Sequence, residues 1–313
     1  MHNSLELSMP WFHSPFFNDE LLRNLDPQMQ SMVKALAYDG YLIFDPEIPA
    51  HTLEAAIETL NGRYQTSGRI NETRRILDAW SFNQHVRAIA TAPRVLTLLQ
   101  QLYQRQPIPF QTLNFNIGTE QRTHSDTIHF DCIPHGYMCG VWVALEDVDA
   151  FNGPLHYYPG SHKLPLFDMS SLGIIGSASR GYEHYGLYED FVERLMQHSP
   201  YERKEVSLKK GQAFLWVANL FHGGSPIRDS RRTRYSQVTH YYFDDCMYYM
   251  PMHTDFALNR VDLKKVVNIA TGEAVPNRYF GRSISSRPRW LSRLRSATYR
   301  AAARVGLRPR LPD

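Results

Sequence analysis

The fold class this sequence predicts is α+β, mainly β: a jelly-roll-like double sheet preceded by helices. Three observations predict it. Helical periodicity fills the early part of the chain, short strands bounded by Gly, Pro, Asn and Asp clusters follow from about residue 108, and strand and helix do not alternate as a parallel sheet requires. A length of 313 residues suits one large domain or two small ones, and a double sheet with inserted loops can use it as one.

The segment QMQSMVKALAYDGYLIF reads as an amphipathic helix that stops at Asp39-Gly40 and feeds a strand over Tyr41–Phe44. HTLEAAIETLNGRYQ and FNQHVRAIATAPRVLTLLQQLYQ carry helical periodicity in good helix formers. Pro93 starts a new helix there rather than sitting inside one. The strands are PFQTLNFNIG, YMCGVWVALEDV, GPLHYYPGS, GQAFLWVANLFHGG and RYSQVTHYYF. Residues 163–203 form a Gly-, Ser- and Tyr-bearing insertion, longer than a connection needs and of the kind that often serves as a lid. The expected organisation is an N-terminal extension over 1–28, a main domain over 29–281 and a basic tail over 282–313.

Composition places the chain among ordinary globular proteins, at 43% hydrophobic and 21% charged residues. No apolar run approaches the roughly 20 residues that cross a bilayer. The opening MHNSLELSMPWF lacks a basic-then-apolar layout, so a cytoplasmic location is the expectation. Cys132, Cys139 and Cys246 are odd in number and show no C-x-x-C spacing, which points to reduced thiols rather than disulfides or structural zinc. The net charge of +3 conceals an asymmetry, because residues 282–313 hold nine arginines against Asp313 alone. That tail reads as a solvated extension; weak contact with an anionic membrane or an acidic partner is the alternative. Nucleic-acid binding is not expected, since the basic residues lie outside the domain and no recognition motif accompanies them.

The chemistry sits in THSDTIHFDCIPH. His124 and Asp126, and again His129 and Asp131, have a His-x-Asp spacing that puts imidazole and carboxylate on one face of a strand. His253 and Asp255 repeat the pattern, so some of these pairs are incidental. Parity allows one of the first two pairs as ligands but not both, because on an unbroken strand they face opposite ways. His222 closes the strand AFLWVANLF before Gly223-Gly224, where an imidazole can turn inward. Two histidines and one carboxylate leave three metal positions open, the arrangement of non-heme iron(II) oxygenases. Further on, Arg234 and Ser236 begin a strand with both polar side chains on one face. A guanidinium fork beside a hydroxyl suits the distal carboxylate of 2-oxoglutarate.

D-G-Y-L-I-F, H-S-D-T, V-W-V-A-L-E-D-V-D, N-G-P-L-H-Y-Y-P-G-S-H-K and F-H-G-G-S-P followed by an arginine resemble the phytanoyl-CoA dioxygenase family over about residues 30–245. The resemblance implies a double-stranded β-helix, cupin-like, working with iron(II), 2-oxoglutarate and dioxygen, with ascorbate as a possible reductant. By the spacing to Trp142 it assigns the metal to His124, Asp126 and His222, and it places Trp142 in the 2-oxoglutarate pocket. His129 would then line the substrate side after a bend, with Asp131 hydrogen-bonded near it. A carboxylate at position 126 argues against halogenation, for which the superfamily leaves that ligand position open. No chemistry is expected of His162, and the tyrosines at 157, 158, 241, 242, 248 and 249 read chiefly as packing, with pocket lining as the alternative.

The expected reaction is hydroxylation of an unactivated C–H bond in a small natural-product or lipid-like metabolite, with release of succinate and carbon dioxide. Two alternatives stand beside it: a catalytically silent β-barrel that binds a small ligand, and an oxygenase that reaches a protein or membrane-bound substrate through the arginine tail.

Overall fold

Local signals start and stop each early helix where the sequence places it. In this computed structural model, which describes residues 8–64 and 75–284, α1 (Pro27–Tyr38) is capped by Asp26, whose side chain accepts the Met29 N–H at 3.0 Å. Gly40 ends it at φ +81°, and a Cβ there would lie 2.4 Å from His162 Nδ1, so glycine is required twice over. β1 (Tyr41–Phe44) and α2 (Ala50–Tyr64) follow, then β2 (Arg75–Leu77). Asn83 caps α3 (Gln84–Ala90), and Pro93 opens α4 (Pro93–Tyr103) as expected.

Strands then dominate: β3 (Pro107–Phe115), β4 (Asp131–Ile133), β5 (Met138–Ala144) and β6 (Leu155–Tyr157) precede α5 (Tyr185–Gln197). After it come β7 (Lys204–Glu205), β8 (Ala213–Val217), β9 (His222–Gly224), β10 (Ser236–Phe243) and β11 (Met247–Tyr249). A six-stranded antiparallel sheet runs β1-β8-β5-β10-β3-β2, and a smaller one runs β7-β6-β9. A bridge between His124 and His222 extends the smaller sheet.

The central strands of the large sheet, β5, β8 and β10, are buried on both faces. Gln111, Leu113 and Phe115 of β3, Val238 and His240 of β10, Trp142 of β5 and Trp216 of β8 point into a cavity shared with the smaller sheet, as period-two alternation dictates. Helices cover the other face: Gln237 Nε2 donates to the Val86 carbonyl at 3.0 Å, and the Tyr241 hydroxyl donates to that of Ala90 at 2.8 Å. Leu36, Leu98 and Leu102 share one core cluster with Tyr241 and Phe243. This is the expected α+β, mainly β architecture.

One expectation changes, and two segments gain detail. The segment 211–224, read as one strand, is two: the chain leaves β8, turns at Ala218–Phe221 and enters the smaller sheet as β9. Asn219 makes that break, donating from Nδ2 to the carbonyls of His162 (3.0 Å) and Leu164 (2.7 Å). The insertion contains α5, whose stripe of Tyr188, Val192 and Met196 is buried beside Ile128, Phe221 and Met252. The N-terminal extension is packed from residue 8 on, with Trp11 Nε1 donating to the Leu102 carbonyl at 2.8 Å and the Phe12 and Tyr103 rings 5.0 Å apart. The arginine-rich tail from residue 285 lies outside the described residues. Among the described residues no helix is long and apolar enough to cross a membrane.

Candidate metal centre and cosubstrate pocket

His124 and His222 sit directly opposite each other, and their backbones exchange both N–H to carbonyl bonds at 2.9 Å. The ligand turn begins at Ser125, which caps a short 3-10 turn over Asp126–Ile128. Asp126 therefore reaches the metal position from a turn and not from the strand face that the spacing suggested. Ser125 and Thr127 also tie this turn to the other half of the site, since their hydroxyls lie 3.2 and 3.4 Å from Asn219 Oδ1. Gly223 and Gly224 follow His222 because the 120–121 backbone crosses close by: a Cβ on either would lie 2.7 or 2.8 Å from main-chain atoms.

The result is a buried set of His124, Asp126 and His222 whose ligand atoms all lie within 4.8 Å of one another. Asp126 Oδ1 is 3.7 Å from His124 Nε2 and 4.0 Å from His222 Nε2. Each imidazole turns its Nδ1 to a carbonyl two residues back, His124 to Arg122 and His222 to Leu220, both at 2.9 Å. Those bonds set the tautomer and leave Nε2 as a lone-pair donor towards a shared centre. Burial, then His222, lowers the His124 pKa to about 4, so it is neutral at working pH. Burial would raise Asp126, but the imidazoles of His222 and His240 outweigh it and hold the carboxyl well below its usual range. Trp216 Nε1 donates to Asp126 Oδ2 at 2.8 Å, a support that the sequence reading missed. Gly140 makes room for it, since a Cβ there would lie 2.2 Å from the indole.

The same cavity, of about 390 Å³, holds Arg234 and Trp142. Arg234 is 1% exposed, yet its Nε and Nη1 have no hydrogen-bond partner, and burial draws its pKa down to about 10. The guanidinium carbon lies 5.1 Å from the Trp142 ring. A buried cation with two open donors fits an anionic ligand, and a dicarboxylate reaching from the metal would supply one. Ser236 is fully buried, with its hydroxyl 3.5 Å from the Arg234 carbonyl, and is not among the residues lining the cavity.

The parity argument does not apply, because the turn at Asp126–Ile128 interrupts the strand. His129 lines the cavity, its ring 6.3 Å from that of His124. Asp131 is not bonded to His129. It pairs instead with His135 Nδ1 at 2.8 Å and accepts from the Tyr249 hydroxyl at 2.9 Å. His253 and Asp255 anchor the insertion, to the Gly181 carbonyl (2.7 Å) and the Ser177 N–H (2.6 Å). None of the six tyrosines at 157, 158, 241, 242, 248 and 249 lines the cavity; Tyr182 and Tyr185 of the insertion do. The three cysteines are unpaired.

A sequence profile of the family phytanoyl-CoA dioxygenase (PhyH) matches residues 36–234. This chain belongs to the phytanoyl-CoA dioxygenase family. Iron, 2-oxoglutarate and dioxygen are the cofactor and cosubstrates associated with this dioxygenase family, and the triad and the buried guanidinium fit them. Phytanoyl-CoA dioxygenase domain-containing protein 1 of Mus musculus is 32% identical over 80 residues, which cover 24% of this chain and 28% of that protein. Its Danio rerio counterpart is 35% identical over 78 residues, covering 24% and 27%. The matched stretch thus spans little more than a quarter of those relatives.

Among solved structures, the fold resembles the non-heme alpha ketoglutarate dependent epimerase SnoN from nogalamycin biosynthesis, at TM-score 0.57 and 19% identity over 83% of this chain and 96% of that one. It also resembles iron-bound EctD from S. alaskensis, at TM-score 0.56 and 19% identity over 78% and 84%. The carbocyclase SnoK from nogalamycin biosynthesis follows at TM-score 0.55 and 16% identity over 80% and 95%. These likenesses show the cupin-like double-stranded β-helix.

Proposed function

We propose that this phytanoyl-CoA dioxygenase-family chain is an active iron(II)- and 2-oxoglutarate-dependent oxygenase that hydroxylates an unactivated C–H bond of a small natural-product or lipid-like metabolite, releasing succinate and carbon dioxide. The observation that carries this reading is the pairing of a buried His-Asp-His set with a buried guanidinium whose donors are open, in one cavity. His124, Asp126 and His222 would hold the iron, and Arg234, with Ser236 near it and Trp142 against it, would hold the far carboxylate of 2-oxoglutarate. The metal and cosubstrate supply the oxidising chemistry when bound. The chain's own work is to fix the tautomers of two imidazoles, orient one carboxylate through Trp216 and keep bulk water from the walls.

The test is succinate release from labelled 2-oxoglutarate in the presence of iron(II) and ascorbate. Slow release without added substrate, lost in Asp126→Ala, is the expected result. Its absence in well-metallated protein would overturn the reading in favour of a silent ligand-binding barrel.

A further inference from the structure

With the metal set and the Arg234 end of the cavity assigned, one wall remains without a role. It is formed by His129 and Phe130, which follow the ligand turn, and by Tyr182 and Tyr185 of the insertion. The His129 ring lies 5.7 Å from that of Tyr182, 4.9 Å from that of Tyr185 and 5.9 Å from that of Phe130. Two polar atoms in this aromatic wall are shielded from solvent: Nδ1 of His129, which has no hydrogen-bond partner, and the hydroxyl of Tyr185, which makes no well-formed bond and has the Gln121 side chain as its nearest candidate. A shielded polar atom left without a well-formed bond is costly, so two of them in one wall mark a place where a ligand group completes the bonding.

The charges around this wall narrow the ligand. Among the described residues lining the cavity the only carboxylate is Asp126, which belongs to the metal set, and the only Lys or Arg side chains are Arg234 and Arg75. Among the described lining residues, a cationic group would find no carboxylate beyond Asp126 of the metal set, and a group of several phosphates no basic cluster beyond Arg75 and Arg234. Aromatic faces with neutral donors and acceptors suit a ring carrying hydroxyl or carbonyl groups.

The clamp is also held in place. Tyr185 opens α5, and Arg122 grips that helix through Glu193 (2.7 and 2.6 Å) and Asp190 (2.6 Å). The Arg122 carbonyl meanwhile accepts from the ligand His124, so one residue ties the aromatic wall to the metal set.

We propose that His129 and Tyr185 form a two-point hydrogen-bonding clamp that selects an uncharged, ring-bearing substrate by a hydroxyl or carbonyl group, with Tyr182 and Phe130 flanking the ring. The word substrate rests on the oxygenase reading above, whereas the binding preference can be measured without turnover. The full chain is loaded with zinc(II) and 2-oxoglutarate, so that nothing is consumed. It is then titrated by fluorescence with 2-naphthol, naphthalene, 2-naphthyl phosphate and 2-naphthylmethylamine, which share a ring system and differ in the polar group.

The expected result is that 2-naphthol binds tightest, about tenfold better than naphthalene, as one or two neutral hydrogen bonds would give. His129→Phe and Tyr185→Phe should each weaken 2-naphthol about fivefold and leave naphthalene within about twofold, which also shows that the variants fold. Tightest binding of the phosphate or the amine, no saturable binding of 2-naphthol, or unchanged 2-naphthol affinity in both variants overturns the proposal. Loss of succinate release with this selectivity intact would remove the oxygenase reading and leave the clamp standing.

Discussion

Arg234→Met separates two consequences of one burial. The guanidinium is 1% exposed, two of its nitrogens lack partners, and burial pulls its pKa down to about 10. Against the ordinary arginine range, keeping that cation inside costs about 3 kcal/mol. A base whose pKa is lowered by folding weakens the native state wherever the unfolded chain still holds the proton. The full cost is therefore present below about pH 10 and fades only as pH rises towards the unfolded value. Methionine fills much of the same stem without charge, so the ligand-free variant should gain about 1–3 kcal/mol, a rise of a few degrees in Tm. The same change removes two charge-assisted hydrogen bonds of about 1.5–3 kcal/mol each, and 2-oxoglutarate should bind about 10²–10⁴-fold more weakly. Scanning calorimetry of the metal-free protein and isothermal titration of zinc-loaded protein with 2-oxoglutarate read the two effects separately. Affinity within about threefold of wild type would refute the assignment of Arg234 as the dicarboxylate grip.

Trp216→Phe deletes the 2.8 Å bond to Asp126 and should lower metal affinity about 10–100-fold in a chelator competition, with the fold retained. Gly140→Ala should do the same by displacing the indole, since the new Cβ lies 2.2 Å from it, and should also cost about 1–3 kcal/mol in denaturant melts. Arg122→Ala releases α5 from its ion pairs, so amide exchange over residues 185–197 should quicken several-fold while the strands stay protected; unchanged exchange would show that packing alone holds the helix. His156 and His162 are held neutral, at about 3 and about 4, by burial first and by Arg203 and Lys163 next. Between pH 7.5 and 5.5 the unfolded chain takes up these protons and the native one does not, so Tm should fall by several degrees, each histidine contributing about 1 kcal/mol; a flat profile would contradict their neutral burial.

The early helices, Pro93 as a helix start and the turn at Asp39-Gly40 were legible because caps, proline and glycine act on their own neighbours. The choice of His124 over His129 came from motif spacing and named three residues that the fold brings together, though by a wrong local picture. A strand would have set His124 and Asp126 on one face, whereas Ser125 caps a turn that brings Asp126 round to meet His222. A capping serine between two candidate ligands is a visible signal, and it could have suggested the turn. The insertion's helix went unread because its buried stripe is narrow and interrupted by polar residues.

By itself, then, the sequence determined the early helices and the run of strands after them, the residue types that gather in the candidate site and the presence of an arginine after His222, since each follows from local periodicity or from a motif of adjacent residues. Only the tertiary structure decided that Trp216 holds Asp126, that Gly140 makes room for it, that Arg234 is left with open donors, and that His129 faces Tyr185. These are contacts between segments far apart in the chain. Their cost or gain depends on what surrounds each group after folding, and no local pattern carries that information.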